Sequence, residues 1–300
     1  PDIFLYLAQK SRIEITLMPL LHIAILALVQ GITEFLPVSS SGHLLLTHAL
    51  LGHGNSADAW GDDLILDLAV HVGSLMAVLL YFRRDVLKML GGFPSLLRGN
   101  LNNPHARLSL FLVVGSIPAL ALGFLLHKLQ PGFLRSVEVV AWCTLIFGAL
   151  LWIVDTKMPV KRSTSEMTLR DAILIGLAQA MALVPGTSRS GITMTAARGL
   201  GFSRTEAAHF SFLLSIIATA AAGSIGALDL LKADSVEMNY NAAAAAAFSF
   251  VASWVTIAFL MKMLRTWTFK PFAIYRLVLA AVLLGLIYSG AMANISAVSP

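Results

Sequence analysis

Two short segments hold the residues that could do chemistry. The first, Gln30-Gly31-Ile32-Thr33-Glu34-Phe35-Leu36-Pro37-Val38-Ser39-Ser40-Ser41-Gly42-His43, puts a carboxylate, three hydroxyls and an imidazole into one of the most apolar runs of the chain. The second, Pro185-Gly186-Thr187-Ser188-Arg189-Ser190-Gly191-Ile192-Thr193, sets a guanidinium among hydroxyls. Gln30 and Glu34 are four residues apart and share one helical face, so both point inward from a run that lipid would otherwise claim. Glu34 can act as a base or a metal ligand, and Ser40 or His43 as a nucleophile. In the second segment Pro185 ends a helix, Gly186 permits an unusual backbone angle, and Ser188 or Ser190 can cap a helix that restarts at about residue 191. Free N–H groups at such a start, with Arg189 and the hydroxyls of Thr187, Ser188, Ser190 and Thr193, suit a phosphate. An arginine at membrane depth costs about 2.5–3.5 kcal/mol on insertion scales, which favours a functional site over a simple Pro/Gly kink. A base, a nucleophile and an anion clamp together suit phosphoryl transfer, which depends on positioning and charge neutralisation.

The elements that must position these groups are membrane helices. Hydrophobic residues make up 57% of the chain and charged residues only 12%, with a mean hydropathy of +0.80, far from a soluble domain. Six apolar runs, at roughly 64–82, 108–126, 137–154, 207–228, 242–263 and 272–293, are long enough to cross a core of ~30 Å. Two further regions, about 18–51 and 171–201, are broken by Pro, Gly and Ser clusters and suit re-entrant pairs. The order is broken pair, three spans, broken pair, three spans. An offset of 149 pairs Gln30 with Gln179, Ser39 with Ser188, Ser41 with Ser190 and Gly42 with Gly191, and sets Ser40 opposite Arg189 and Glu34 opposite Leu183. An odd number of crossings per half turns the second half upside down, which brings the two breaks together near the midplane. The expected architecture is therefore an all-α polytopic membrane protein with six full spans and two re-entrant pairs in an inverted repeat. Residues 1–17 form an extension, 18–156 the first repeat and 157–300 the second, within one membrane domain.

Of the 21 Lys and Arg residues, fourteen fall on the face reached after the first full span, among them Arg83, Arg84, Lys88, Arg198 and Arg204, and five (Lys10, Arg12, Lys128, Arg135, Lys232) on the other. The positive-inside rule makes the richer face cytoplasmic and places both termini and the first break outside. The net charge of +5 is thereby used in orientation, and no nucleic-acid partner is implied. Cys143 is the only cysteine, so no disulfide or thiolate cluster forms within the chain. The basic N-terminus could imitate a secretory signal, but Gln30 and Glu34 follow directly and no small-residue cleavage site is evident.

QGITEFLPVSSSGH and PGTSRSGIT resemble the paired motifs of the undecaprenyl-diphosphate phosphatase family, the bacitracin-resistance membrane phosphatases. The similarity covers essentially the whole chain after the N-terminal extension, including Pro271-Phe272-Ala273-Ile274-Tyr275-Arg276. The family's first motif has Glu or Gln followed four residues later by Glu, and Gln30 with Glu34 is the Gln form. The resemblance implies dephosphorylation of undecaprenyl diphosphate at the outer side of the bacterial cytoplasmic membrane, with Mg2+ or Ca2+. It would make Glu34, with Gln30 beside it, the metal or acid/base group, Ser40 or His43 the nucleophile, and Arg189 the holder of the diphosphate. Ser39, Ser41, Ser188 and Thr193 would complete the polar shell. Serine attack is preferred because Ser40 stands opposite Arg189 in the repeat; histidine attack is the alternative. The partners implied are the polyprenyl diphosphate and membrane lipid, and a homodimer is compatible with this reading.

A lipid transporter or flippase is the competing reading, because inverted repeats with broken helices are also a transporter pattern. The unrelated membrane acid phosphatases do not fit: Ser41-Gly42-His43 matches part of their signature, but the residue six after Arg189 is Thr195, not His. Among other polar residues, Asp67 and His71 can pair or support the first break. Glu206 and His209 are expected to be solvated, Arg276 to snorkel, and Asp58, Asp62 and Asp63 to lie in a solvated loop.

Overall fold

A chain in hydrocarbon must satisfy its backbone internally, so the apolar runs become helices. The computed structural model describes residues 20–51, 57–129, 132–160, 162–230 and 236–290. Its helices are α1 (Leu20–Thr33), α2 (Ser40–Leu51), α3 (Ala57–Tyr81), α4 (Arg83–Leu97), α5 (Pro104–Leu129) and α6 (Val137–Lys157). They continue with α7 (Leu169–Met181), α8 (Arg189–Gly199), α9 (Arg204–Leu230), α10 (Val236–Met263) and α11 (Lys270–Tyr288). Five of these, α5, α6, α9, α10 and α11, are each long and apolar enough to cross a bilayer, and α3 carries the sixth expected run. The expected extension at 1–17 lies outside the described residues, as do Lys161 and Lys232 of the charge count.

One helix was not foreseen. At Phe82 the chain bends by 80° into α4. Leu87, Leu90 and Leu97 of α4 are exposed beside Arg83, Arg84 and Lys88, the make-up of a helix that lies in a membrane interface. Gly92 rests on the backbone of His105 and Ala106, which fixes α4 against α5. Asp58, Asp62 and Asp63, expected in a loop, fall on backbone already helical from Ala57.

The helices dock crosswise. Gly31 of α1 lies against Ser249, Ala252 and Ser253 of α10, and Gly176 of α7 against Gly115 of α5. A methyl group on Gly176 would sit 2.5 Å from the Gly115 carbonyl oxygen, so small residues set these backbone approaches. α3 packs on α9 and α10, and α6 on α11. The core between them holds an edge-to-face pair, Phe35 and Phe212, with centroids 5.3 Å apart.

At the far end of α6 a buried carboxylate ties four helices together. Asp155 accepts from Arg198 Nε at 3.1 Å, Arg204 Nε at 2.8 Å and the Phe269 backbone N–H at 2.9 Å. Arg198, expected on a charged face, is fully buried; it also donates to the carbonyls of Phe202 and Met158. Glu206 and His209, expected to be solvated, are partly exposed and also join elements: Glu206 accepts from the Thr164 backbone at 3.1 Å, and His209 faces Asp85 at 3.3 Å.

Candidate active site

Both breaks are built by the same device. Ser39 and Ser188 are the only non-glycine residues with positive φ among the described residues, at +82° and +72°. Each caps the helix that follows: Ser39 Oγ accepts from Gly42 N at 3.4 Å, and Ser188 Oγ from Gly191 N at 3.1 Å. Such backbone strain costs of order 1–3 kcal/mol per residue and persists where surrounding structure enforces it. Its effect is to restart α2 at Ser40 and α8 at Arg189, positions that the offset of 149 makes equivalent. The second restart comes two residues earlier than the expected 191.

Those two first helical residues converge on one carboxylate. Ser40 Oγ donates to Glu34 Oε2 at 2.7 Å, and Gln30 Nε2 donates to the same oxygen at 2.8 Å. Arg189 Nη2 pairs with Glu34 Oε1. His71 stands 4.0 Å from Oε2 through Nε2, while its Nδ1–H donates to the Asp67 carbonyl. Glu34 is thus buried, charged and held from both ends, with a serine hydroxyl aimed at it.

The remaining predicted groups divide by what they touch. His43 has its ring held elsewhere, with Nδ1 at 2.6 Å from the Ser39 carbonyl oxygen and Nε2 at 2.6 Å from Tyr275 Oη. Ser190 donates across to the Leu36 carbonyl at 2.8 Å, stitching one break to the other. Thr193 donates to the Arg189 carbonyl at 2.8 Å and shares a hydrogen bond with Ser211 at 2.7 Å. Ser39 and Ser188 are the caps described above. Ser41 is exposed, and buried Thr187 Oγ1 has no hydrogen-bond partner among the described residues. Most of these hydroxyls hold the loops in shape.

A family model described as bacitracin resistance protein BacA matches residues 23–282. The chain belongs to that family. It is 45% identical over 273 residues to a Ruegeria pomeroyi protein named undecaprenyl-diphosphatase, a match covering 91% of this chain and 100% of that one. A protein of the same name from Chromohalobacter salexigens is 46% identical over 265 residues, covering 88% and 97%. Another from Alteromonas mediterranea is 44% identical over 273 residues, covering 91% and 100%.

In this BacA-family chain one site residue escaped the sequence reading. Arg276 does not snorkel; it is fully buried. Its Nη2 donates to the carbonyls of Gly186 and Thr187 at 2.9 Å each, and its Nη1 reaches the Pro37 carbonyl at 3.4 Å. A single guanidinium therefore braces both breaks from behind. An arginine inside an apolar helix was the available signal, the same one that singled out Arg189, but its place near the helix start pointed to an easy route to water.

Gly186 meets this brace with φ at +88°, and a Cβ there would run into the Val140 backbone. Gly186→Ala is expected to lower folding stability by about 2 kcal/mol or more and to cut activity severalfold, checked by thermal unfolding in detergent.

The oxygen donors present suit a hard cation. Gln30 Oε1 is buried without a hydrogen-bond partner among the described residues, one turn from the Glu34 carboxylate. No group of three or more His, Cys, Asp or Glu side chains able to hold a metal occurs among the described residues. A divalent ion here would take its remaining ligands from a bound diphosphate, as Mg2+ commonly does.

Proposed function

We propose that the protein hydrolyses undecaprenyl diphosphate to undecaprenyl phosphate and inorganic phosphate, recycling the lipid carrier for peptidoglycan and other envelope polymers and thereby resisting bacitracin. The observation that carries the reading is the convergence of Ser40 and Arg189 on Glu34. Relatives matched over nearly their whole length carry a name for this activity.

The geometry supports attack by Ser40. Its Oγ bonds to the terminal phosphorus while Glu34 takes the proton; the bridging P–O bond breaks, and the departing lipid monophosphate carries that proton away, leaving Glu34 ionised again. Arg189, already in the site, shifts from Glu34 to the phosphoryl oxygens and neutralises the charge that develops on them. Water then attacks the phosphoserine and gives its proton to Glu34; the P–O bond to Ser40 breaks, Ser40 is reprotonated from Glu34, and phosphate leaves. The resting Glu34–Arg189 pair gives this sequence an order, because the base is freed only when a phosphate draws the guanidinium away. A bound Mg2+ or Ca2+, held by Glu34 and Gln30 Oε1, would add neutralisation of the diphosphate oxygens.

In the bacterial cytoplasmic membrane, the location the activity implies, the distribution of Lys and Arg supports a site open to the outer side and both termini outside. The paired caps at Ser39 and Ser188 and the crosswise docking of α1 and α7 support two inverted repeats, 18–156 and 157–300. Those features also suit the alternative, a carrier that moves the lipid across the membrane. Arg276 weighs against it, since one buried group bonded to both breaks leaves them little freedom to rock apart.

Purified protein given undecaprenyl diphosphate is expected to release inorganic phosphate, and Ser40→Ala to abolish the release. Rapid quenching with substrate labelled in the terminal phosphate should leave label on Ser40. Label on His43 instead would refute serine attack, and lipid translocation without phosphate release would refute the enzyme.

A further inference from the structure

His43 is held at both ring nitrogens. A carbonyl oxygen only accepts, so the 2.6 Å contact with Ser39 O puts the proton on Nδ1. In the neutral ring Nε2 then offers a lone pair, and the phenol of Tyr275, 2.6 Å away, donates to it. The two rings lie nearly parallel, with 16° between their planes.

Both ends of this arrangement are held by residues that also shape the breaks. The Ser39 carbonyl, at the cap of α2, faces His43 one turn along and accepts from both its backbone N–H, at 3.2 Å, and its ring Nδ1–H. Arg276, next in sequence to Tyr275, anchors the start of α11 to both breaks, so the phenol has a defined position. Tyr275 is itself 46% exposed. The Ser40 hydroxyl is meanwhile committed to Glu34.

We propose that Tyr275 is a positioning residue for the dephosphorylation: its hydroxyl fixes the orientation and the Nδ1–H tautomer of His43, so that the ring does not compete with Glu34 for the Ser40 proton. This rests on the phosphatase reading above. The role differs from packing, because only the phenol oxygen is required.

Tyr275→Phe in the full-length protein tests it. The expected result is a kcat for phosphate release lower by about tenfold, the size of one lost neutral hydrogen bond, with KM changed less than twofold. The unfolding temperature should be unchanged, since the ring is retained and half exposed. In protein labelled with 15N at histidine, the unprotonated ring-nitrogen signal that disappears in His43→Gln should move in Tyr275→Phe, as its hydrogen-bond donor is lost. An unmoved signal, or unchanged kcat, overturns the proposal. The nitrogen signal does not depend on turnover, so a wild-type protein without phosphatase activity but with the shift would refute the functional reading and leave the Tyr275–His43 contact standing.

Discussion

Glu34→Gln is expected to lower kcat by about a thousandfold, in the middle of the range that a positioned general base contributes. Gln keeps the shape and one acceptor oxygen, so Ser40 still has a partner and the helices stay in place. It removes the negative charge that receives the serine proton and that holds Arg189 in waiting. With that pair gone, Arg189 is left as a partly buried cation, and it should bind phosphate more readily. The variant is therefore expected to show KM or product-inhibition constants that are lower, not higher, beside its lost kcat. Steady-state phosphate release with and without added inorganic phosphate checks both. Activity within tenfold of wild type would remove Glu34 from the chemistry altogether.

Arg276→Lys should be almost as damaging without touching substrate. The guanidinium serves carbonyls on both breaks through a planar fork, and an ammonium is a compact point charge that cannot reach Pro37 and Gly186 together. Carbonyls left unsatisfied in a buried site cost about 1–3 kcal/mol each, so the unfolding temperature should fall by several degrees. With the breaks loosened, Ser40 and Arg189 lose their common alignment on Glu34, and an error of about 1 Å in such a site can reduce kcat by about a hundredfold. Unfolding in detergent and kinetics at saturating substrate measure the two effects. Near-normal values for both would show that the breaks keep their shape without the brace.

The sequence made the broken segments legible because proline, glycine and serine clusters inside apolar runs have few other uses. Ser40 and Arg189 could be paired before any geometry because the repeat offset aligned them, and Glu34 stood out as a carboxylate in an apolar helix. Arg276 could not, since its value lies in carbonyls of residues 37, 186 and 187, and backbone acceptors leave no mark on a sequence. Asp155 with Arg198 and Arg204 was hidden for a related reason: charges near span ends are usually solvated, and only packing shows which are enclosed. α4 was missed because its basic residues were counted for orientation, while the leucines between them were too few to suggest a span. The hydroxyls of Ser188, Ser190 and Thr193 were legible as polar groups in a loop, but their tasks of capping and cross-linking depend on neighbours 18 to 154 residues away as well as on close ones.

The crosswise docking bears on biogenesis. Gly31 of α1 must find Ser249 and Ala252 of α10, and α10 is translated roughly 10–40 s later at ordinary elongation rates. Until then the α1 segment, with Gln30 and Glu34 on it, has no permanent seat in the membrane. Insertion of this chain therefore locks α1 in place only after α10, more than two hundred residues behind it, has been made.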